Sequence, residues 1–298
     1  MKLRSIELAL PDPAAAATFM TEIWGMAPAE TKAGANGDRL YLRGSGPFPY
    51  LVAFEKSEDE FVRSTTFVCT AEELEALKAR IAASGWAASP TVSKDPGGGH
   101  GLLVELPEGT ILRFLTDAAE VAPIAGRDLP VKLTHVVFNA ADAEACGAAV
   151  EDVLGFRVSD RTKGMVFVRC SDSHHSTAFA RAGFASLNHV AFEMEDMDAV
   201  MRGIGRLRDH ALVPAWGPGR HGPGANVYAY FIAPFGPVIE FSTAVEKVPE
   251  DYKVGAPDDW TWPAGRIDHW GMSDKDFEGL RRAEERFRFR RDWEAGPL

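Results

Sequence analysis

Cysteine is scarce in this chain: Cys69, Cys146 and Cys170 are the only three in 298 residues. An odd number without close spacing argues against a disulfide framework and a cysteine-ligated metal, and predicts buried, reduced thiols in a cytoplasmic protein. No apolar run approaches the roughly 18–20 residues needed to cross a bilayer, and no signal-peptide pattern opens the chain, so neither membrane insertion nor export is expected. Basic residues are outnumbered, 32 against 43 acidic ones, for a formal net charge of −11. With no broad cationic footprint, a nucleic-acid partner is not expected. The acidity aids solubility and identifies no substrate. A hydrophobic share of 46% is that of a soluble globular protein. The length allows one large domain or two ordinary ones.

Histidine is what the chain concentrates. Six of its eight lie between His135 and His221. His135 stands in Leu-Thr-His-Val-Val-Phe, His189 in Leu-Asn-His-Val-Ala-Phe, and Glu240 in Pro-Val-Ile-Glu-Phe-Ser. Each is a lone polar side chain in a run of β-branched and aromatic residues, the pattern of a strand facing a buried pocket. Two imidazoles and a carboxylate from three strands match the facial triad of non-haem Fe(II), which leaves coordination positions open. A single buried histidine is more often a core residue. Three at matching strand positions, with a buried carboxylate that is costly to desolvate alone, point to a metal.

The chain also repeats itself. The stretch from Leu3 to Met26 parallels that from Leu133 to Phe156 at an offset of 130. In both, an apolar strand leads to an Asp (Asp12, Asp142), an Ala-rich helix (residues 14–23, 143–153) and a Gly at the helix end, where a left-handed conformation suits Gly. A second strand and helix follow in each half, at residues 65–70 and 71–84, then 188–194 and 196–208. Their apolar positions are spaced for one helix face: Leu74, Leu77 and Ile81, then Met197, Val200, Met201 and Ile204. Pro-x-Gly at Pro107 and Pro234 reads as a tight turn between strands. The expected class is α+β: two tandem modules of paired βαβββ units, each an incomplete barrel. Residues 1–122 form a first module, 123–130 a Pro- and Gly-containing linker, 131–245 a second module and 246–298 an extension.

That extension holds Trp260, Trp262, Trp270 and Trp293 and an Arg-rich stretch over residues 281–291. So many aromatics argue against disorder. A tail wrapping the second module or a neighbouring subunit is expected, ending in a solvated amphipathic helix.

The duplicated halves, with Gly217-Pro-Gly-Arg-His-Gly-Pro and Tyr230-Phe-Ile-Ala-Pro-Phe-Gly-Pro-Val-Ile-Glu240-Phe, resemble the type I extradiol ring-cleaving dioxygenases of the vicinal oxygen chelate (glyoxalase/bleomycin-resistance) superfamily. The resemblance covers residues 1 to about 245. It implies Fe(II), or occasionally Mn(II), held by His135, His189 and Glu240, catechol-type substrates, dioxygen as second substrate, and a homo-oligomer. It further implies His175 of His174-His175-Ser-Thr-Ala-Phe as the acid–base residue, a role that suits an imidazole titrating near neutrality. Tyr230 would donate to a substrate oxygen and His221 would line the mouth. Val137, on the His135 face by strand alternation, would form an apolar dioxygen pocket or simply core.

His174 is expected to be an exposed loop histidine. His100 follows a glycine run that lacks the Lys-Ser/Thr and helix of a phosphate loop; that run is expected to be a hairpin loop of the first module. None of His100, His210 and His269 is a site candidate. In the first module, Ser5 matches His135, Ser64 or a neighbouring threonine matches His189, and Arg113 matches Glu240. None suits a metal, and Arg113 would repel one, so the first module is expected to hold none. This weighs against a glyoxalase-like site that draws ligands from both modules. Rival readings are a metal-dependent isomerase or lyase, and a small-molecule or drug-binding protein, on the same scaffold.

Overall fold

A computed structural model describes residues 1–31 and 39–289. Arg290, Arg291 and Trp293 of the expected tail lie outside the described residues. The first sheet contains β1 (Lys2–Leu10), β2 (Ala27–Pro28), β3 (Leu40–Arg43), β4 (Val52–Lys56), β5 (Phe61–Val68), β6 (Ala88–Val92), β7 (His100–Glu105) and β8 (Ile111–Thr116). Its spatial order is β2-β3-β4-β1-β5-β8-β7-β6. The second contains β9 (Lys132–Ala140), β10 (Arg157–Arg161), β11 (Met165–Arg169), β12 (Thr177–Arg181), β13 (Ser186–Glu193), β14 (Trp216–Arg220), β15 (Val227–Ile232) and β16 (Val238–Thr243). Its order, β10-β11-β12-β9-β13-β16-β15-β14, repeats the first strand for strand. The fold is α+β, each sheet made of two βαβββ units joined centrally by an antiparallel pair, β1 with β5 and β9 with β13. Neither sheet closes its ends, as the incomplete-barrel expectation requires.

The duplicated helix is equally regular. α1 (Pro13–Phe19) and α3 (Ala143–Ala149) follow β1 and β9, and each passes into a five-residue π-helical turn, Met20–Trp24 and Val150–Leu154. Asp12 accepts from the Ala15 N–H at 2.9 Å and Asp142 from that of Ala145 at 3.0 Å, so both helices start at a capping carboxylate. Both end at a left-handed glycine, Gly25 (φ 98°) and Gly155 (φ 73°). Each freed C-terminus receives an arginine from the other half. Arg206 donates to the Ile23 and Trp24 carbonyls at 2.7 and 2.6 Å, and Arg80 to those of Val153 and Leu154 at 3.0 Å. A cation at a helix C-terminus contributes about 0.3–1 kcal/mol, more when partly buried.

Arg80 belongs to α2 (Ala71–Ser84), whose Leu74, Leu77 and Ile81 are buried as the spacing predicts. Arg206 belongs to α4 (Met197–Asp209), where the expected face is corrected. Met197 and Met201 are exposed, and the buried stripe is Val200, Gly203, Ile204 and Leu207. Gly203 is what lets this helix lie against Phe241, whose ring would clash with any β-carbon there. One apolar core runs through both halves. At its centre Trp24 stacks on Phe241 with centroids 3.6 Å apart, and meets Phe192 and Phe231 edge-on.

The Pro-x-Gly turns form as expected, with Gly109 N–H donating to Leu106 and Gly236 N–H to Ala233, both at 2.8 Å. The glycine run lies in the hairpin loop between β6 and β7 as expected, and His100, which follows it, opens β7 and is exposed. The three cysteines are free thiols.

The described part of the extension wraps the second sheet and reaches the first. The short helix α5 (Phe277–Glu284) buries Leu280 and Ala283 and leaves its arginines outward. Beyond it Phe287 and Phe289 enter the core, Leu187 N–H donates to the Phe287 carbonyl at 2.8 Å, and Arg286 pairs with Glu60 of the first half. Among the described residues no helix is long and apolar enough to cross a membrane.

Candidate metal centre

Three neighbouring strands at the middle of the second sheet bring the triad together. Ala191 of β13 pairs with His135 of β9 on one side and Glu240 of β16 on the other, and His189 lies two residues earlier on β13. Strand alternation therefore aims three polar side chains into one space. His135 Nε2 lies 3.2 Å from His189 Nε2 and 3.1 Å from Glu240 Oε2, and His189 Nε2 lies 3.2 Å from the same oxygen. All three residues are buried.

A cation fits this triangle. Two ring nitrogens and a carboxylate oxygen at such spacing can each reach one ion at about 2.0–2.2 Å. His189 Nδ1 lies 2.6 Å from the Asn188 carbonyl oxygen Oδ1, so this nitrogen carries the proton and Nε2 offers its lone pair to the triangle. Asn226 donates to Glu240 Oε1 at 3.2 Å, leaving Oε2 inward. Burial opposes ionisation of Glu240, yet the two imidazoles hold its carboxyl well below the usual carboxylate range. Burial also keeps the His189 imidazole below its usual value, a neutral donor despite the adjacent carboxylate. Among the described residues this is the one group of three His, Cys, Asp or Glu side chains arranged to hold an ion.

The other expected residues surround the triangle in a cavity of about 630 Å³. His175, buried in the connection between β11 and β12, lies with its ring 4.3 Å from that of His135. Burial and then the neighbouring imidazoles push its pKa well down, so the ring is held in its neutral form. Tyr230 of β15 has its ring 4.9 Å from His189, and its hydroxyl lies 3.0 Å from His221 Nε2. His221 is likewise lowered, to about 3, chiefly by burial. Val137 packs with Phe167 and Ala178, and Val137 and Phe167 form an apolar wall of the same cavity.

His174 contradicts its expectation. It is fully buried, its Nε2 lies 2.6 Å from Asp160 Oδ2, and its Nδ1 lies 3.0 Å from His175 Nδ1. The reason lies in the extension: residues 246–255 run across the β10 and β11 ends and cover what would otherwise be an open loop, with His174 N–H donating to Glu246.

The first sheet answers the same position with a different solution. Ser5, Ser64 and Arg113 do converge, but around Glu7, which the pattern of Leu-Arg-Ser-Ile-Glu-Leu did not single out. Glu7 accepts from Ser5 and Ser64 at 2.7 Å, from Thr66 at 2.9 Å and from Arg113 at 3.0 Å. Arg113 also donates to Asp95 at 2.6 Å. Its guanidinium fills with a fixed positive charge the place that the triad keeps for an ion.

Residues outside the expected set also line the main cavity. Trp262, Lys275, Leu280 and Glu284 of the extension supply one wall, and the Lys275 ammonium sits 4.1 Å over the Trp216 ring. Burial lowers Lys275 and raises Glu284, and no ion pair joins them among the described residues. Asn188 had a visible signal, being a lone amide beside His189 on a strand. Asp160 and the extension had none, because their role depends on chain crossings that periodicity does not report.

Residues 132–241 match the Glyoxalase/Bleomycin resistance protein/Dioxygenase superfamily. Metapyrocatechase 2 of Cupriavidus necator is 28% identical over 142 residues, 47% of this chain and 42% of that protein, so the matched part is less than half of that relative's length. An iron-dependent extradiol dioxygenase of Rhodococcus jostii (strain RHA1) is 26% identical over 244 residues, 73% of this chain and 81% of its own. Among solved structures, the Mn(II)-bound glyoxalase from Novosphingobium aromaticivorans superposes with a TM-score of 0.83 at 29% identity, covering 94% of this chain and 93% of that one. The triad thus stands inside the matched segment, and the second module is a domain of the Glyoxalase/Bleomycin resistance protein/Dioxygenase superfamily.

Proposed function

We propose that this protein is a metal-dependent extradiol dioxygenase that opens a catechol-type ring next to its two hydroxyls, with both atoms of O₂ entering the product. The observation that carries the reading is the buried triangle of His135, His189 and Glu240, with donor atoms 3.1–3.2 Å apart at the floor of a cavity. Likeness to two dioxygenases supports it. We further assign the triad to residues 131–245, with 1–122 as a metal-free module and 246–298 as the extension.

Fe(II), or alternatively Mn(II), when bound would offer open positions to both catechol oxygens and relay electron density from the ring, which is oxidised, to dioxygen, which is reduced. The chain's own residues then orient the reactants and handle protons. His175, neutral and beside His135, accepts the proton that the diol loses, and returns it as the ring opens. His221 fixes the Tyr230 hydroxyl, which lies along the substrate's edge. Val137 and Phe167 offer dioxygen an apolar, water-poor approach. The cavity exceeds the volume of a single catechol ring, so ring substituents have room against Trp262 and Leu280.

A metal-dependent isomerase or lyase is the second reading, favoured by the likeness to the Mn(II)-bound glyoxalase. Its weakness is Arg113, which excludes metal ligation by the first module. Oxygen uptake separates the two. Protein loaded with Fe(II) or Mn(II) should consume one O₂ per catechol from a panel of monocyclic and bicyclic catechols. Turnover of a 2-oxoaldehyde–thiol adduct with no O₂ uptake from any catechol would select the isomerase.

A further inference from the structure

Asp160, His174 and His175 form a single hydrogen-bonded line that ends in the cavity, and only its last member has a part in the reading above. Asp160 on β10 and His174 are fully buried, and His175 is 3% exposed. The aspartate is fixed from two sides by the extension. Gly255 N–H donates to Oδ1 at 2.7 Å, and the Tyr252 hydroxyl donates to Oδ2 at 3.3 Å, the oxygen that also faces His174 Nε2 at 2.6 Å. His174 Nδ1 in turn faces His175 Nδ1 at 3.0 Å. Gly224 closes over that contact: a β-carbon there would strike both imidazoles.

Donor and acceptor rules allow one assignment along this line for neutral rings. A carboxylate only accepts, so His174 must carry its proton on Nε2. Its Nδ1 is then a lone pair, and the facing His175 Nδ1 must be the donor. His175 is left with an unprotonated Nε2. A cationic His174 would reverse this, but it would place a buried positive charge one ring away from the metal triangle.

We propose that Asp160 and His174 are positioning residues that lock His175 in the Nδ1–H tautomer, so that its free Nε2 lone pair is the one available as base. The catalytic consequence rests on the ring-cleavage reading; the tautomer does not. His174 and the Asp160 carboxylate hold His175 in this tautomer through contacts of 3.0 and 2.6 Å, as a buried carboxylate orients an imidazole without itself taking up the proton. The extension thereby acquires a role at the reacting end of the cavity, since Tyr252 and Gly255 hold the carboxylate that sets the line.

Asp160→Asn tests this with little change of shape. The Gly255 N–H keeps the amide oxygen at the Oδ1 position, which turns the amide nitrogen, a donor, toward His174 Nε2. Every proton along the line must then shift, and His175 Nε2 becomes protonated. Long-range ¹H–¹⁵N correlation on histidine-labelled full-length protein, metal-free and loaded with diamagnetic Zn(II), reads the tautomer directly. His175 should show Nδ1–H in the unsubstituted protein and Nε2–H in Asp160→Asn. In the Fe(II)-loaded protein the variant's kcat should fall about 10²–10⁴-fold, as expected for loss of a general base through the wrong tautomer, with KM and metal content held. An Nε2–H tautomer in the unsubstituted protein, or a kcat in Asp160→Asn within a few-fold of it, would overturn the proposal. If the variant does not fold, the tautomer of the unsubstituted protein still decides. The expected tautomers in a protein that cleaves no catechol would refute the ring-cleavage reading and leave the lock standing.

Discussion

Arg113 occupies on β8 the position that Glu240 occupies on β16. Thr66 of β5 pairs with Arg113 as Ala191 of β13 pairs with Glu240, and both side chains point to the centre of their sheet. One sheet supplies an anion that needs a cation, and the other supplies the cation itself. Arg113 balances Glu7 and Asp95 as an ion would balance Glu240.

Replacing Arg113 with Met should therefore destabilise the protein without touching the candidate metal centre. It takes the paired cation from buried Glu7 and one cation from Asp95, which keeps Arg39 at 3.2 Å, and breaking one side of a buried charge cluster costs about 3–5 kcal/mol. Urea unfolding of the metal-free protein should show that loss, while metal content per folded chain stays the same. Equal stability of Arg113→Met and the unsubstituted protein would show that the network has no net charge to balance.

Acid should undo the same network. Burial opposes ionisation of Asp95, but Arg113 and the Tyr41 hydroxyl outweigh it and hold the carboxyl well below the usual carboxylate range. A depressed folded value means that Asp95 stabilises fully above its unfolded pKa of about 3.9 and loses that contribution as pH falls toward the folded value. The stability gap between the unsubstituted protein and Asp95→Asn should be constant from neutrality to about pH 5 and shrink below about pH 4. A gap independent of pH would contradict the assignment.

His189→Ala removes one corner of the triangle. Metal analysis after desalting should fall from about one ion per chain toward none, as expected when one of three protein ligands is lost. Circular dichroism should stay unchanged, because the strand pairing of β13 is backbone. Full metal retention with normal turnover would refute the triad.

His175→Phe separates chemistry from binding. The three ligands remain, so metal content and catechol affinity should change little, while kcat drops about 10²–10⁴-fold. A change confined to KM would make His175 a contact residue only.

The duplication, the strand-borne triad and the glycine-ended helices were legible because each is a local pattern repeated at a fixed offset. Ser5, Ser64 and Arg113 could be aligned to the triad for the same reason. Glu7 is hidden in the sequence because its two-residue shift from Ser5 looks like ordinary alternation, and its partner Tyr50, whose hydroxyl donates to it at 3.0 Å, comes from a loop. His174 was misplaced as exposed because the segment covering it lies some 70 residues downstream, in the extension around Glu246 and Gly255. Met197 and Met201 were assigned to the buried face of α4 by their apolar character. Gly203 instead lies against Phe241, and the buried stripe runs through Val200, Gly203, Ile204 and Leu207.

Mass spectrometry of the product formed under ¹⁸O₂ tests the central claim most directly. Fe(II)-loaded protein would first be titrated with a catechol without oxygen, then exposed to ¹⁸O₂. The account predicts a ring-opened product, cleaved beside the diol, that carries two labelled atoms, with His189→Ala giving none. A labelled product cleaved between the hydroxyls, or no labelled product from any catechol with a full complement of Fe(II) or Mn(II), would contradict it.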